Sequence, residues 1–256
     1  MSKKSNSYDE KNWALDVRIN AHKNFSITTL EDLIESLTKK IPENSSILDL
    51  GCGNGNFYSL LSKVNRYVGL DVSSELLEQF SKSNNDSVPL LKASFDDLPN
   101  FVSNSFDAIF SIYSIYYTDA PDILISNLYE ILSKNGSLTI IGPSKDRHAP
   151  EIEDFLISLG VNVPENKSQR VINLHDVIIP QIASVFETFQ SAEIDASLNF
   201  PNSKEWSLYV AATPHVTESL PSKKIDEIRD LAKQYSQTHK VQKITKGMTL
   251  AEAQKI

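Results

Sequence analysis

Three glycines at alternate positions, Gly51, Gly53 and Gly55, separate an apolar run from an amphipathic one in ILDLGCGNGNFYSLL, residues 47–61. No other stretch limits the fold so sharply. A strand cannot continue through such a sequence and a helix cannot begin until after it, so the segment reads as strand, tight turn, helix. Glycine lets the turn bend without a Cβ penalty and lets backbone N–H groups approach a ligand at a helix start. Phosphate binders of this shape carry further marks. A phosphate loop needs G-x-x-x-x-G-K-[ST], and this turn holds no lysine. A dinucleotide loop needs G-x-G-x-x-G, which puts its third glycine where this chain has Asn56. A nucleoside-like ligand without phosphates fits better than either.

The surrounding sequence alternates short apolar runs with amphipathic stretches. SILDL, YVGLDV, VPLLKA, FDAIFSIY and SLTIIG read as five buried strands. NFYSLLSKV, SSELLEQFSKS and APDILISNLYEILSKNG read as helices, the last stopped by Asn135 and Gly136. Such alternation implies parallel strands joined by right-handed crossovers, with ligands at the carboxyl ends of the strands. The expected fold class is α/β, a Rossmann-like seven-stranded sheet flanked by helices, with an N-terminal helical cap and a lid after the fifth strand. Four segments follow. Residues 1–41 form the cap, with Ile27, Leu30, Leu33, Ile34 and Leu37 at helical spacing before Pro42. Residues 42–143 form the ligand-binding core, 144–188 a lid or substrate insertion, and 189–256 the completion of the core. In that last part SAEIDASLNF reads as a strand, SKEWSLYVAAT and SKKIDEIRDLAKQYSQ as helices, and MTLAEAQK as a weak strand, because Ala and Glu favour helix.

Composition narrows the partners. A net charge of -8 over 256 residues repels phosphate backbones and anionic headgroups, so neither nucleic acid nor membrane is expected. The lysines of KKIDEIRDLAKQ and HKVQKITKG alternate with acids and read as a solvated face. One cysteine, Cys52, leaves no disulfide framework and no Cys-based zinc site; no metal is expected. No apolar run suits a signal peptide or a membrane span, so cytoplasmic residence is the expectation.

Asp71 closes the second strand in YVGLDVS. Its carboxylate can accept both hydroxyls of a ribose, or it can cap the helix SSELLEQF. Here LDLGCGNG, VGLDVS, LKASFDDLP, SFDAIFSIYSIYYTD and ILSKNGSLTIIGP together resemble the motifs of class I S-adenosylmethionine-dependent methyltransferases, the small-molecule branch in particular. The resemblance covers residues 42–143. It implies S-adenosylmethionine as cofactor and a small-molecule acceptor methylated at oxygen or nitrogen. It makes Asp49 the motif carboxylate that orients the loop and reaches the methionine amino group. Gly51, Cys52, Gly53 and Gly55 pass under the methionine and ribose, and Asp71 with Val72 holds the ribose edge. In LKASFDDLP the adenine-binding aspartate of the family falls on Ser94, with Phe95 against the ring and Asp96 as a substitute if the loop is shifted.

Methyl transfer is an in-line displacement that needs alignment and exclusion of water more than a protein nucleophile. After the fourth strand, Ser111, Tyr113, Tyr116 and Tyr117 stand where the methyl group is expected: Ser111 beside the cofactor, Tyr113 and Tyr117 toward the substrate, Tyr116 as a catalytic candidate. Ring faces there favour a sulfonium, or else they pack under the following helix. His148 becomes a base if the insertion folds inward, and is otherwise surface; His175 is a weaker candidate of the same kind. His22 and Arg18 on the N-terminal helix either meet the cofactor carboxylate or face solvent. Two other functions remain open: a non-catalytic nucleoside-binding or scaffold protein, and an NAD-linked oxidoreductase, which Asn56 and the lack of a Tyr-x-x-x-Lys pair disfavour.

Overall fold

The structure, a computed structural model, describes residues 5–63, 66–84, 87–95, 98, 106–163 and 168–256, with the side chains of residues 5–12 left aside. Asp96 and Pro99 lie outside the described residues. The chain divides into two compact units. The sheet unit comprises Leu30–Lys145, Lys167–Ile194 and Met248–Ile256; the helical unit comprises Met1–Thr29, Asp146–Asn166 and Asp195–Gly247. This division differs from the four consecutive segments that the sequence suggests, because three strands carry the chain across a unit boundary.

The sheet has seven strands in the order β3-β2-β1-β4-β5-β9-β6. They are β1 (Ser46–Leu50), β2 (Arg66–Asp71), β3 (Leu90–Lys92), β4 (Phe106–Ile112), β5 (Leu132–His148), β6 (Thr188–Asp195) and β9 (Lys246–Gln254). The pairs β1–β2, β1–β4, β2–β3 and β4–β5 are parallel. Strand order reverses at β1, and the tips of β1, β2 and β4 meet where sheets of this topology bind their ligands. The five strands read from the sequence are all present. The sixth runs short: after β6 the chain turns at Ala196, where the Ser197 N–H donates to Asp195 Oδ1 at 3.0 Å. A two-residue strand β7 (Leu198–Asn199) then pairs with β8 (Lys243–Ile244). The weak final strand is an interior member of the sheet. Burial of Met248, Thr249, Leu250 and Ala251 outweighs the helix preference of its Ala and Glu residues.

In the sheet unit, helices α2 (Leu30–Thr38), α3 (Tyr58–Leu61), α4 (Ser74–Asn84) and α5 (Pro121–Ile131) flank the strands. α2 buries Leu33, Ile34 and Leu37, each worth roughly 1.5–3 kcal/mol. The expected stop of α5 at Asn135–Gly136 is corrected to Ile131. Leu132 adopts an extended backbone as β5 begins, and Asn135, at φ 64°, turns within the strand. The N-terminal stretch is likewise not one helix. α1 (Ser5–Phe25) belongs to the helical unit, α2 to the sheet unit, and Ile27 between them is exposed.

Residues 144–188 divide as well. α6 (Pro150–Ser158) lies in the helical unit. α7 (Gln169–Ile172), a π-helical turn (Asn173–Ile178) and α8 (Ile179–Val185) lie in the sheet unit. There Leu174, Ile178 and Ile182 join the main apolar core with Leu48, Ile109, Leu124 and Ile140. The second half of the expected lid is thus built into the core of its unit. The helical unit has a separate core, in which Trp206 and Tyr209 of α9 (Ser203–Ala211) and Ile228 of α11 (Ile225–His239) are buried. Between them runs the short α10 (Pro214–Ser219). No helix among the described residues is long and apolar enough to cross a membrane.

Candidate functional site

The glycine turn links β1 to α3, and its three glycines differ in what surrounds them. At Gly51, φ is +81°, and an added Cβ would lie 2.3 Å from Ser114 Cβ. At Gly55 it would lie 2.6 Å from the Phe80 ring. Both positions are closed by protein atoms. Gly53 differs: its φ is +55°, and an added Cβ would meet nothing within 4 Å. The turn therefore presents open space at its middle glycine only.

Asp71 holds this turn in place. Its Oδ2 accepts the Gly53 N–H at 2.9 Å, and its Oδ1 accepts the Ser73 N–H at 2.8 Å. It does not cap α4; Ser73 does, accepting the Leu76 N–H on its Oγ at 3.3 Å. Each oxygen of Asp71 keeps acceptor capacity beyond its one backbone bond. Val72, next in sequence, is 67% exposed, a large apolar side chain left in solvent at the tip of β2. Phe95 packs against the core, and its Cζ would lie 3.6 Å from a Cβ on Gly51. Ser94 stands half-buried beside it.

Beneath the turn, Asp49 is buried and accepts the Tyr67 hydroxyl at 2.7 Å on Oδ2. Burial pushes its carboxyl up to about 7; the Tyr67 hydrogen bond opposes the rise and the charge of Asp71 adds to it. Tyr67 itself, buried beside Asp49, is held well above the usual phenol range and stays a donor. Cys52 packs on Gly69, where an added Cβ would lie 2.9 Å from its sulfur. Burial, then the charges of Asp49 and Asp71, drives its thiol up and leaves it unreactive.

Of the residues after β4, Ser111 is buried and turned inward. Its Oγ lies 2.6 Å from Ser114 Oγ and accepts the Ile115 N–H at 3.0 Å, and Ser114 Oγ in turn donates to the Leu50 carbonyl. Ser111 therefore braces the turn through Ser114. Tyr116, expected as a catalytic residue, is 4% exposed within the main core, because the 3-10 turn Ile115–Tyr117 directs it inward. Tyr117 is exposed, with the Arg170 guanidinium 5.1 Å from its ring centre. Tyr113 is partly exposed, holds φ at 54°, and donates its N–H to the Ile141 carbonyl at 2.7 Å. A tyrosine in the left-handed region is uncommon, and such strain gathers at functional sites.

His148 ends β5 and is exposed; it belongs to the helical unit. His22, in the same unit, is no surface residue. Its Nε2 lies 3.3 Å from the Tyr209 hydroxyl and its Nδ1 3.4 Å from Ser26 Oγ. Burial, with Lys246 and Arg18 nearby, lowers it to about 4, so it is a neutral packing residue. Arg18 bonds back to the Ala14 carbonyl at 3.2 Å. His175, given little weight from the sequence, lies on the π-helical turn and donates from Nε2 to the Pro143 carbonyl at 2.9 Å. Near it are Ser144, Glu193 and Thr249, which carry no motif and come from three different strands. A separate cavity of about 650 Å³, lined by Lys40, Asp107, Asn135, Thr188 and Gln254 among others, lies where β4, β5 and β6 begin, away from the glycine turn.

Residues 48–140 match the family model described as a methyltransferase domain. An uncharacterized Haemophilus influenzae protein is 28% identical over 122 residues, 43% of this chain and 48% of the relative. The tRNA U34 carboxymethyltransferase of Aliivibrio fischeri is 32% identical over 105 residues, 38% of this chain and 32% of the relative. The chain thus spans less than half the length of these curated relatives. Among solved structures, the YcgJ protein of Bacillus subtilis superposes with a TM-score of 0.54 at 16% identity, covering 87% of this chain and 97% of that one. Haemonchus contortus phosphoethanolamine N-methyltransferase 2, solved with S-adenosylhomocysteine, gives a TM-score of 0.50 at 18% identity, covering 88% of this chain and 52% of that one. These likenesses establish a common fold.

Proposed function

We propose that residues 48–140, which match the methyltransferase-domain model, form a class I S-adenosylmethionine-dependent methyltransferase domain, and that the chain transfers a methyl group from S-adenosylmethionine to an oxygen or nitrogen of a small-molecule acceptor in the cytoplasm. The observation that carries this reading is the asymmetry of the glycine turn: closed at Gly51 and Gly55, open at Gly53, with Asp71 across from it. A sulfonium nucleoside fits that cradle. Its ribose hydroxyls find the remaining lone pairs of Asp71, its adenine finds Val72, Phe95 and Ser94, and its amino group finds Asp49. The cofactor, when bound, supplies an electrophilic methyl carbon and a neutral thioether leaving group. The chain's own contribution is to hold the donor in one orientation, keep water out and receive the acceptor beside Tyr113 and Tyr117. Alignment of this kind lowers a barrier by about 7–11 kcal/mol.

The acidic character of the chain supports a small acceptor over a polyanion. The likeness to a tRNA-modifying enzyme favours a second reading, in which the acceptor is a tRNA base. A gel-shift titration with total tRNA in 0.15 M salt separates the two, since binding below about 10 μM would favour the tRNA reading over the small acceptor. The primary test is isothermal calorimetry with S-adenosylmethionine, S-adenosylhomocysteine and NAD. The expected result is binding of the first two and none of the third; a chain that binds neither sulfur nucleoside is not a methyltransferase. If it binds them yet transfers no methyl group to any acceptor in a metabolite extract, the non-catalytic reading gains.

A further inference from the structure

The carboxyl edge of the sheet continues past the cofactor crevice, and its next polar feature is Glu193. This residue stands near the end of β6, the outermost strand, yet its carboxylate is held further in. Oε2 accepts the Ser144 hydroxyl on β5, and Oε1 accepts the Thr249 hydroxyl on β9 and, at 3.4 Å, the Lys145 N–H. The side chain therefore leans across β9 to β5. β5 is the strand that pairs with β4, at whose end Tyr113 stands.

The anchoring groups are themselves fixed. Ser144 and Thr249 are buried, at 1% and 3% exposure, while Glu193 is exposed. The Pro143 carbonyl cannot donate, so His175 Nε2 carries the proton of their 2.9 Å bond. That ring also lies 3.3 Å from Thr249 Oγ1, which limits how the hydroxyl can turn. The π-helical turn that brings His175 to this place is a rare device, frequent at functional sites. The three hydrogen bonds named above come from two hydroxyls and a backbone N–H, and they orient the carboxylate.

Tyr113 is the second, independent observation. Its left-handed backbone keeps the ring at the tip of β4 and partly in solvent, when a relaxed backbone would let it turn elsewhere. Its immediate neighbour Ser114 touches the glycine turn. Burial and then the charge of Glu193 push the Tyr113 hydroxyl up to about 12, which keeps the ring neutral and its face electron-rich. A carboxylate and an aromatic face side by side form a receptor for an ammonium group.

Resting on the methyltransferase reading above, we propose that Glu193 and Tyr113 form the acceptor-recognition site and that it selects small molecules bearing a cationic amine, bound next to the cofactor crevice. Glu193 is a recognition residue and need not touch the reacting atoms.

The test uses the full chain saturated with S-adenosylhomocysteine. A series of primary ammonium ions of increasing length, from ethylammonium to phenethylammonium, is titrated by calorimetry or ligand-observed NMR, each against its isosteric alcohol. The expected result is at least one pair in which the ammonium binds about tenfold tighter, an advantage lost in Glu193→Gln and reduced in Tyr113→Leu. S-adenosylhomocysteine affinity of both variants is expected to match the parent, and thermal unfolding is measured alongside to confirm that each variant is folded. Equal binding of every pair, or a preference that survives Glu193→Gln, overturns the proposal. A Glu193→Gln variant that unfolds early is replaced by Glu193→Asp, which keeps the charge and shortens the reach; an unaltered preference there also counts against the site. Failure of S-adenosylhomocysteine to bind the parent removes the methyltransferase reading itself, and this inference with it.

Discussion

The two halves of the sheet's carboxyl edge are built differently. At the tips of β1 and β2, the crevice is made of backbone: glycines, the Gly53 N–H, and one carboxylate that ties the turn to the next strand. At the tips of β5, β9 and β6, it is made of side chains, with Ser144, His175, Glu193 and Thr249 drawn from segments far apart in the chain. A backbone site recognises a shape that does not change, while a side-chain site is redrawn by single substitutions. On the proposed reading, the first holds the shared cofactor and the second selects the acceptor.

Substitutions that act on one half only sharpen that contrast. The largest effect is expected from Gly51→Ala. Its new Cβ collides with Ser114 and is held at φ +81°, so overpacking and left-handed strain together cost about 2–5 kcal/mol. Thermal unfolding is expected to fall by roughly 5–15 °C, and a variant as stable as the parent contradicts the described turn. Asp71→Ala comes next, weakening S-adenosylmethionine about tenfold in calorimetry, or about 1.4 kcal/mol, as a charge-assisted hydrogen bond is lost. Unchanged affinity would place the ribose elsewhere.

A pH series is expected to show a smaller change. The folded carboxyl of Asp49, at about 7, lies above its unfolded value of 3.8. It therefore binds a proton in the folded chain between those values, and its burial costs stability as pH rises through that window. A cationic amino group at Asp49 favours the ionised form. S-adenosylmethionine affinity is thus expected to rise several-fold from pH 6 to pH 8 and then level off. Tyr67→Phe, which removes the opposing hydrogen bond, is expected to move that midpoint upward. A flat profile in both proteins separates Asp49 from the ligand. The smallest effect is a null one: iodoacetamide at pH 8 is expected to leave Cys52 unmodified until the chain unfolds, and rapid alkylation of the folded protein would show the turn to be open beyond Gly53.

The same contrast governs what could be read from the chain alone. The strand, glycine turn and Asp71 lie within 25 residues of one another, and their chemistry is local, so spacing and residue type reveal them. Sequence position alone does not distinguish the three glycines, whereas in the fold Gly51 and Gly55 are packed against Ser114 and Phe80. Tyr116 and Tyr117 are neighbours in sequence, yet a single 3-10 turn sends one inward and the other into solvent. Glu193 stood in no motif. Only the insertion of β9 between β5 and β6 gives it Thr249 and Ser144 as partners, and such pairing is invisible to periodicity. A helical pattern likewise does not reveal the π turn that carries His175.

The insertion of β9 also bears on biosynthesis. A ribosome delivers Asp49 and Asp71 well before Thr249. Thr249 emerges late, and until it takes its place between its two neighbours, Glu193 has nothing to lean on from that side. On the proposed reading, the residues that select the acceptor are thus completed only after those that hold the nucleoside have been made.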